Sequence, residues 1–186
     1  MEEGYIMKTN DVEKILISES ELKKRIKELG EQITKDYRNK EELVIIGILK
    51  GSVVFLSDLI RNISLPLKID FMTVSSYGNS AVSTGNITIK KDLDCDIAGK
   101  HVVIAEDIID SGITLSNLVK ILEKRNPASL KICALLDKKE RREAEIDVDY
   151  IGFEIPNEFI VGYGLDYAEN YRNLPYVGIL KREIYE

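Results

Sequence analysis

His101-Val-Val-Ile-Ala-Glu-Asp-Ile-Ile-Asp-Ser-Gly-Ile-Thr114 passes from an unbroken apolar run into acids, then into hydroxyl residues around a glycine. Residues 101–105 have the make-up of a buried strand, residues 106–112 of a polar loop and residues 113–125 of a helix, while residues 129–136 are strand-like again. Strand, loop, helix, strand in that order is a right-handed parallel unit. Open sheets built this way bind ligands just outside the carboxyl ends of their strands, which is where the acids and hydroxyls fall.

The flanking sequence extends the pattern. Ser18-Glu-Ser-Glu21 fits a capping box, and Leu22, Ile26, Leu29, Ile33 and Tyr37 follow at helical spacing. Residues 43–49 form a continuous apolar run suited to a strand covered on both faces, and residues 53–63 read as the helix packed after it. A second strand covers residues 67–74, and residues 75–85 are small and polar, a connection long enough to be a mobile lid. Residues 86–91 could pair as a hairpin strand returning from it, and residues 150–154, 159–163 and 176–180 supply further short strands. The expected fold is α/β, an open and mostly parallel twisted sheet flanked by helices.

Composition narrows the class. The 186 residues, 44% hydrophobic and 31% charged, suit one domain able to bury roughly 70% of the surface an unfolded chain exposes. A net charge of −6 disfavours nucleic acid and anionic membranes, and no apolar run approaches a membrane span. A start of Met1-Glu-Glu lacks the basic region of a secretory signal, so a cytoplasmic protein is expected. Cys95 and Cys133 lie 38 positions apart and neither belongs to a C-x-x-C pair, which leaves zinc or redox motifs without support. The single histidine, His101, opens a strand and reads as a strand-edge residue, not as the centre of a triad.

The chemistry concentrates in Glu106, Asp107 and Asp110, three carboxylates within five residues. They repel one another and would have raised pKa values unless a cation or several hydroxyl donors offset the charge, so a polyol or a metal-bound ligand is implied. Asp110-Ser-Gly-Ile-Thr114 adds a glycine, two hydroxyls and free N–H groups at a helix N-terminus, the make-up of a phosphate cradle. Together they describe a ribose 5-phosphate. The alternative is that Asp110 or Ser111 only caps the helix while the other acids are solvated.

The run from Val102 to Leu115 resembles the phosphoribosyl-pyrophosphate (PRPP) motif of the type I phosphoribosyltransferases. Leu49-Lys-Gly-Ser52, Ser76-Tyr77, Lys138 after an apolar strand, and Gly152-Phe-Glu-Ile-Pro-Asn-Glu-Phe-Ile-Val-Gly-Tyr-Gly-Leu-Asp-Tyr167 followed by Arg172 are similar, in order, to the hypoxanthine-guanine members. The resemblance implies a single domain over residues 1–186 with a small hood built from both terminal segments and a flexible active-site loop at Ser76 and Tyr77. It implies magnesium as cofactor, PRPP and a 6-oxopurine as substrates, and a homodimer or homotetramer. Glu106 and Asp107 would hold the ribose hydroxyls, and Asp110, Ser111, Gly112, Ile113 and Thr114 the 5-phosphate. Ser111 and Ile113 stand where other members often carry threonine and lysine, and a cradle built mainly from backbone groups should survive the change. Lys50, Gly51 and Arg172 would bind pyrophosphate, in a loop that can hold a non-proline cis peptide, and Asp166, with Glu106 and Asp107, would bind the metal. Lys138 would donate to the purine's exocyclic oxygen, Phe159 stack on the base, backbone groups near Ile160 and Leu165 read its edge, and Asp110 act as general base.

Two rivals stand beside this. A PRPP-sensing, nucleic-acid-binding regulator of the same superfamily would need a basic face, and the main basic run, Lys138-Lys-Glu-Arg-Arg142, overlaps the proposed base pocket. A pyrimidine- or xanthine-preferring transferase is disfavoured by Lys138, Phe159 and Asp166, xanthine staying open. Gly162-Tyr-Gly164 lacks the third glycine of a dinucleotide fingerprint, and no Walker lysine motif occurs.

Overall fold

The computed structural model describes residues 9–76 and 87–186. Its elements are β1 (Val12–Ile17), α1 (Glu19–Tyr37), β2 (Leu43–Ile48), α2 (Val53–Ile60), β3 (Leu67–Ser76), β4 (Ile87–Lys91), β5 (His101–Ile109), α3 (Ile113–Glu123), β6 (Ser129–Asp137), β7 (Tyr150–Glu154), β8 (Ile160–Val161), β9 (Val177–Leu180) and α4 (Arg182–Tyr185). Six strands form one sheet in the order β4-β3-β2-β5-β6-β7, parallel except for β4. The other three form a separate antiparallel sheet, β1-β9-β8, with strands drawn from both ends of the chain.

The continuous apolar strands have the expected cause: both faces of the large sheet are covered. Along β2, Ile45 joins the core with Leu29, Ile33 and Phe55 of α1 and α2, whereas Val44 and Ile46 join Leu115, Leu118 and Leu122 of α3 on the opposite face. Helix α1 starts where its capping box places it, with Glu21 N–H donating to Ser18 Oγ and Ser18 N–H to Glu21 Oε2. Arg25 pins this helix to the edge strand β7, donating to the Ile151 and Gly152 carbonyls at 2.7 and 3.0 Å.

Three expectations need correction. Residues 106–109 are not loop: β5 runs on through Glu106, Asp107, Ile108 and Ile109, because Glu106, Ile108 and Ile109 pair with Ala134, Leu136 and Asp137 of β6. The acids thus sit on the rigid end of a central strand. Of the tail strands only Tyr150–Glu154 joins the main sheet, and the stretch expected at 159–163 shrinks to Ile160–Val161 because Gly162 and Leu165 close a turn on each other. Strand β1 has no strand signal in its sequence, because the consecutive exposed residues Glu13 and Lys14 break its alternation. Ser76 ends β3, paired with Ile87, while Tyr77 and the rest of the expected lid through Gly85, with Asn86 of the expected hairpin strand, lie outside the described residues.

Candidate active site

At the carboxyl ends of β2 and β5 lies a cavity of about 370 Å³ that gathers Lys50, Gly51, Glu106, Asp107, Asp110, Ser111, Gly112, Thr114, Asp166 and Arg172. Three segments far apart in sequence meet there: the β2–α2 turn, the end of β5 with the loop into α3, and the stretch that carries Asp166 and Arg172. Their approach is close. A Cβ on Gly51 would stand 1.7 Å from Asp107 Oδ2, so only a residue without a side chain lets the turn abut the acid. The Leu49–Lys50 peptide is cis.

The loop before α3 is shaped as an anion cradle. Gly112 caps the helix at φ +78°, a left-handed conformation open to glycine, so the chain turns sharply and the first turn of α3, with Gly112, Thr114 and Leu115, lines the cavity. The loop is fastened from behind, since Glu143 and Ala144 N–H both donate to the Ser111 carbonyl, at 2.9 and 3.1 Å. Ser111 Oγ also accepts from Ile113 N–H at 3.4 Å. Ile113 itself does not line the cavity, and its side chain adds nothing to the cradle.

The carboxylates carry the strain of like charge. Glu106 is held well above the usual carboxylate range, first by burial and then by the charge of Asp107, and its Oε2 is buried with no hydrogen-bond partner among the described residues. Burial pushes Asp107 up to about 6, against two backbone N–H groups and the Arg172 guanidinium that favour its ionised form. Asp166 Oδ1 pairs with Arg172 Nη2 at 2.7 Å, and its Oδ2 accepts from Glu169 N–H at 2.9 Å. Among the described residues no group of three or more His, Cys, Asp or Glu side chains forms a metal cage. The donor set nonetheless fits magnesium, which takes one or two carboxylates and completes its shell with water and substrate oxygens. A divalent cation is also what a buried, unpartnered carboxylate oxygen calls for.

A second cavity of about 260 Å³ is lined by Lys138, Arg141, Phe159, Arg182 and Tyr185. Lys138 is only 7% exposed, and burial lowers its pKa against the pull of Asp110. Phe159 lies stacked against Tyr185 and edge-on to Tyr167. Asp110, on the first cavity, and Arg141, on the second, form an ion pair at 3.0 Å that links the two. Ile160 and Leu165 are not brought to either cavity. Both side chains are buried in the core, Ile160 is paired with Ile179, and Leu165 exchanges both backbone bonds with Gly162.

Two residues at the site escaped the sequence. Arg141 belongs to a basic run that reads as a solvated turn, yet that run is neutralised residue by residue: Lys139 by Glu154, Arg141 by Asp110 and Arg142 by Asp137. Glu169 carries no local signal, but its carboxylate pairs with Lys50 at 2.9 Å and reaches Arg172 at 3.5 Å.

Comparison with known proteins bears on this arrangement. Residues 14–168 match the family model described as a phosphoribosyl transferase domain. The chain is 54% identical over 180 residues to the hypoxanthine-guanine phosphoribosyltransferase of Bacillus subtilis (strain 168), covering 97% of this chain and 99% of that one. It is 58% identical over 166 residues to the hypoxanthine phosphoribosyltransferase of Buchnera aphidicola subsp. Schizaphis graminum (strain Sg), covering 89% and 94%. Its fold superposes with a TM-score of 0.92 on the crystal structure of a hypoxanthine phosphoribosyltransferase from Staphylococcus aureus, at 51% identity, over 95% of this chain and 96% of that one. With a doubly covered parallel sheet, an acidic strand end opening on a helix N-terminus, and matches of this length, the chain belongs to the hypoxanthine-guanine phosphoribosyltransferase family of the type I phosphoribosyltransferases.

Proposed function

We propose that this protein acts in purine salvage, transferring a 5-phosphoribosyl group from PRPP to an imidazole nitrogen of hypoxanthine or guanine and releasing pyrophosphate. The observation that carries this is the pair of cavities joined through Asp110 and Arg141: one with the adjacent carboxylates of Glu106 and Asp107 beside a helix N-terminus, the other with a buried lysine beside an aromatic ring. Ribose 5-phosphate chemistry fits the first and a flat carbonyl-bearing base the second.

The roles divide by chemistry. Glu106 and Asp107 accept hydrogen bonds from the ribose hydroxyls, the N–H groups of residues 112–114 hold the 5-phosphate, and Lys50 and Arg172 face the pyrophosphate. Phe159 stacks on the base and Lys138 donates to its exocyclic oxygen. The ribosyl carbon loses its bond to the pyrophosphate oxygen and gains one to the purine nitrogen, so positive charge grows at that carbon beside the acids of β5. Asp110 takes the proton leaving the base. Glu106, Asp107 and Asp166 are the residues that would hold magnesium, and when bound it supplies charge neutralisation at the leaving pyrophosphate. The three-stranded sheet serves as the hood of a single domain. The free thiols Cys95 and Cys133 accord with a cytoplasmic setting, and the exposed apolar Val53 and Ile69 with a homodimer or homotetramer.

The test is pyrophosphate release with magnesium and PRPP across hypoxanthine, guanine, xanthine, adenine, uracil and no base. Release with hypoxanthine or guanine and none with adenine or uracil is expected. PRPP binding with no turnover on any base would favour the regulatory rival. Full turnover by Asp110→Asn would remove Asp110 as the base.

A further inference from the structure

Phe159 sits in an aromatic clamp that its role as a stacking platform does not by itself require. The ring of Tyr185 lies parallel to one face, centroids 4.6 Å apart at 21°, and the ring of Tyr167 meets it at 5.5 Å and 87°. The first contact is set by the backbone. Phe159 precedes β8, Tyr185 follows β9, and these strands pair Ile160 with Ile179 while Leu180 N–H donates to the Phe159 carbonyl at 2.8 Å. The turn carrying Tyr185 is tied down in turn, with Lys181 N–H donating to the Asp11 carbonyl and Ile184 N–H to the Lys181 carbonyl.

We propose that Tyr185 is a positioning residue for the base: by stacking on one face of Phe159 it fixes the ring so that the other face is presented to the purine. This rests on the reading above that a purine stacks on Phe159. A half-buried phenylalanine just before a two-residue strand is otherwise free to turn about its side-chain torsions, and each alternative orientation is entropy that base binding must remove. A parallel aromatic neighbour removes it in advance and extends the stack to three rings. Tyr185 lines the second cavity and not the first. Its influence falls on the base and not on PRPP.

Steady-state kinetics of wild type, Tyr185→Ala and Tyr185→Phe, varying hypoxanthine and PRPP separately, test this. The alanine variant is expected to raise KM for hypoxanthine about three- to tenfold, the range of one aromatic stacking contact, with KM for PRPP within about twofold. The phenylalanine variant, keeping the ring, restores the wild-type value. Should the alanine variant fail to fold, Tyr185→Leu keeps the apolar bulk without a ring face and is expected to show the same rise. Unchanged or lower KM for hypoxanthine, as when Tyr185 covers the face the base needs, overturns the proposal, and so does an equal rise in both KM values. Wild-type protein inactive on every base is a different failure, that of the purine reading itself.

Discussion

Replacing Asp107 by asparagine should stabilise the unliganded protein at alkaline pH while removing its affinity for magnesium and PRPP. Asp107 titrates at about 6 in the folded chain, against an ordinary value of 3.8, because burial opposes its charge. A carboxyl raised in this way contributes its full stability below pH 4, and that contribution is lost as pH rises through 6, where the folded state must ionise a group it disfavours. At pH 8 the cost is about 3 kcal/mol. Asparagine matches the shape of the neutral acid and cannot ionise, so it recovers up to that amount. It also takes away the charge that helps to raise Glu106, which acts in the same direction. In a chain of 186 residues the gain corresponds to a rise in Tm on the order of 5–10 °C at pH 8, shrinking towards zero by pH 4. Thermal unfolding of both proteins from pH 4 to pH 8, with and without magnesium and PRPP, measures each part. An unliganded variant less stable than wild type at pH 8, or a wild-type stability that does not fall between pH 4 and pH 7, would refute the electrostatic reasoning.

Other substitutions probe the rest of the site. Gly51→Ala puts a Cβ on Asp107 Oδ2, and since that oxygen ends a rotatable side chain the carboxylate swings away; calorimetry should show PRPP affinity with magnesium down about tenfold with Tm little changed. Arg142→Met leaves Asp137, 2% exposed, without its ion pair behind the phosphate loop; urea unfolding should show a loss of about 3–5 kcal/mol. Glu169→Gln frees Lys50 and Arg172 from a competing carboxylate; pyrophosphate should then inhibit as product about two- to threefold more strongly, a modest change because the pair with Lys50 is exposed.

What the sequence discloses and what it hides follow from how far each structure reaches along the chain. The capping box at Ser18 and Glu21 spans four residues and is legible outright. So is the PRPP-like run, whose acids, glycine and hydroxyls are contiguous. The continuation of β5 through Glu106 and Asp107 is not, because pairing with β6 holds that acidic segment extended. Strand β1 exists only through β9, which begins at Val177, and the pairing of Lys50 with Glu169 crosses 119 positions. Ion pairs of that reach leave no local periodicity. The same holds for Tyr185, which is one of nine tyrosines until the β8–β9 ladder sets it against Phe159.

The small sheet that joins Val12 to Leu180 also orders events during synthesis. The phosphate cradle and the acids of β5 draw on residues up to Ala144, which fastens the loop, whereas β8 gains its partner once residues 177–180 have left the ribosome. A nascent chain can therefore build its polyanion cradle well before it has a surface for a base. The order in which the two halves of the pocket mature is written into the strand pairing, and a chain halted before β9 would hold the sugar phosphate and be blind to purines.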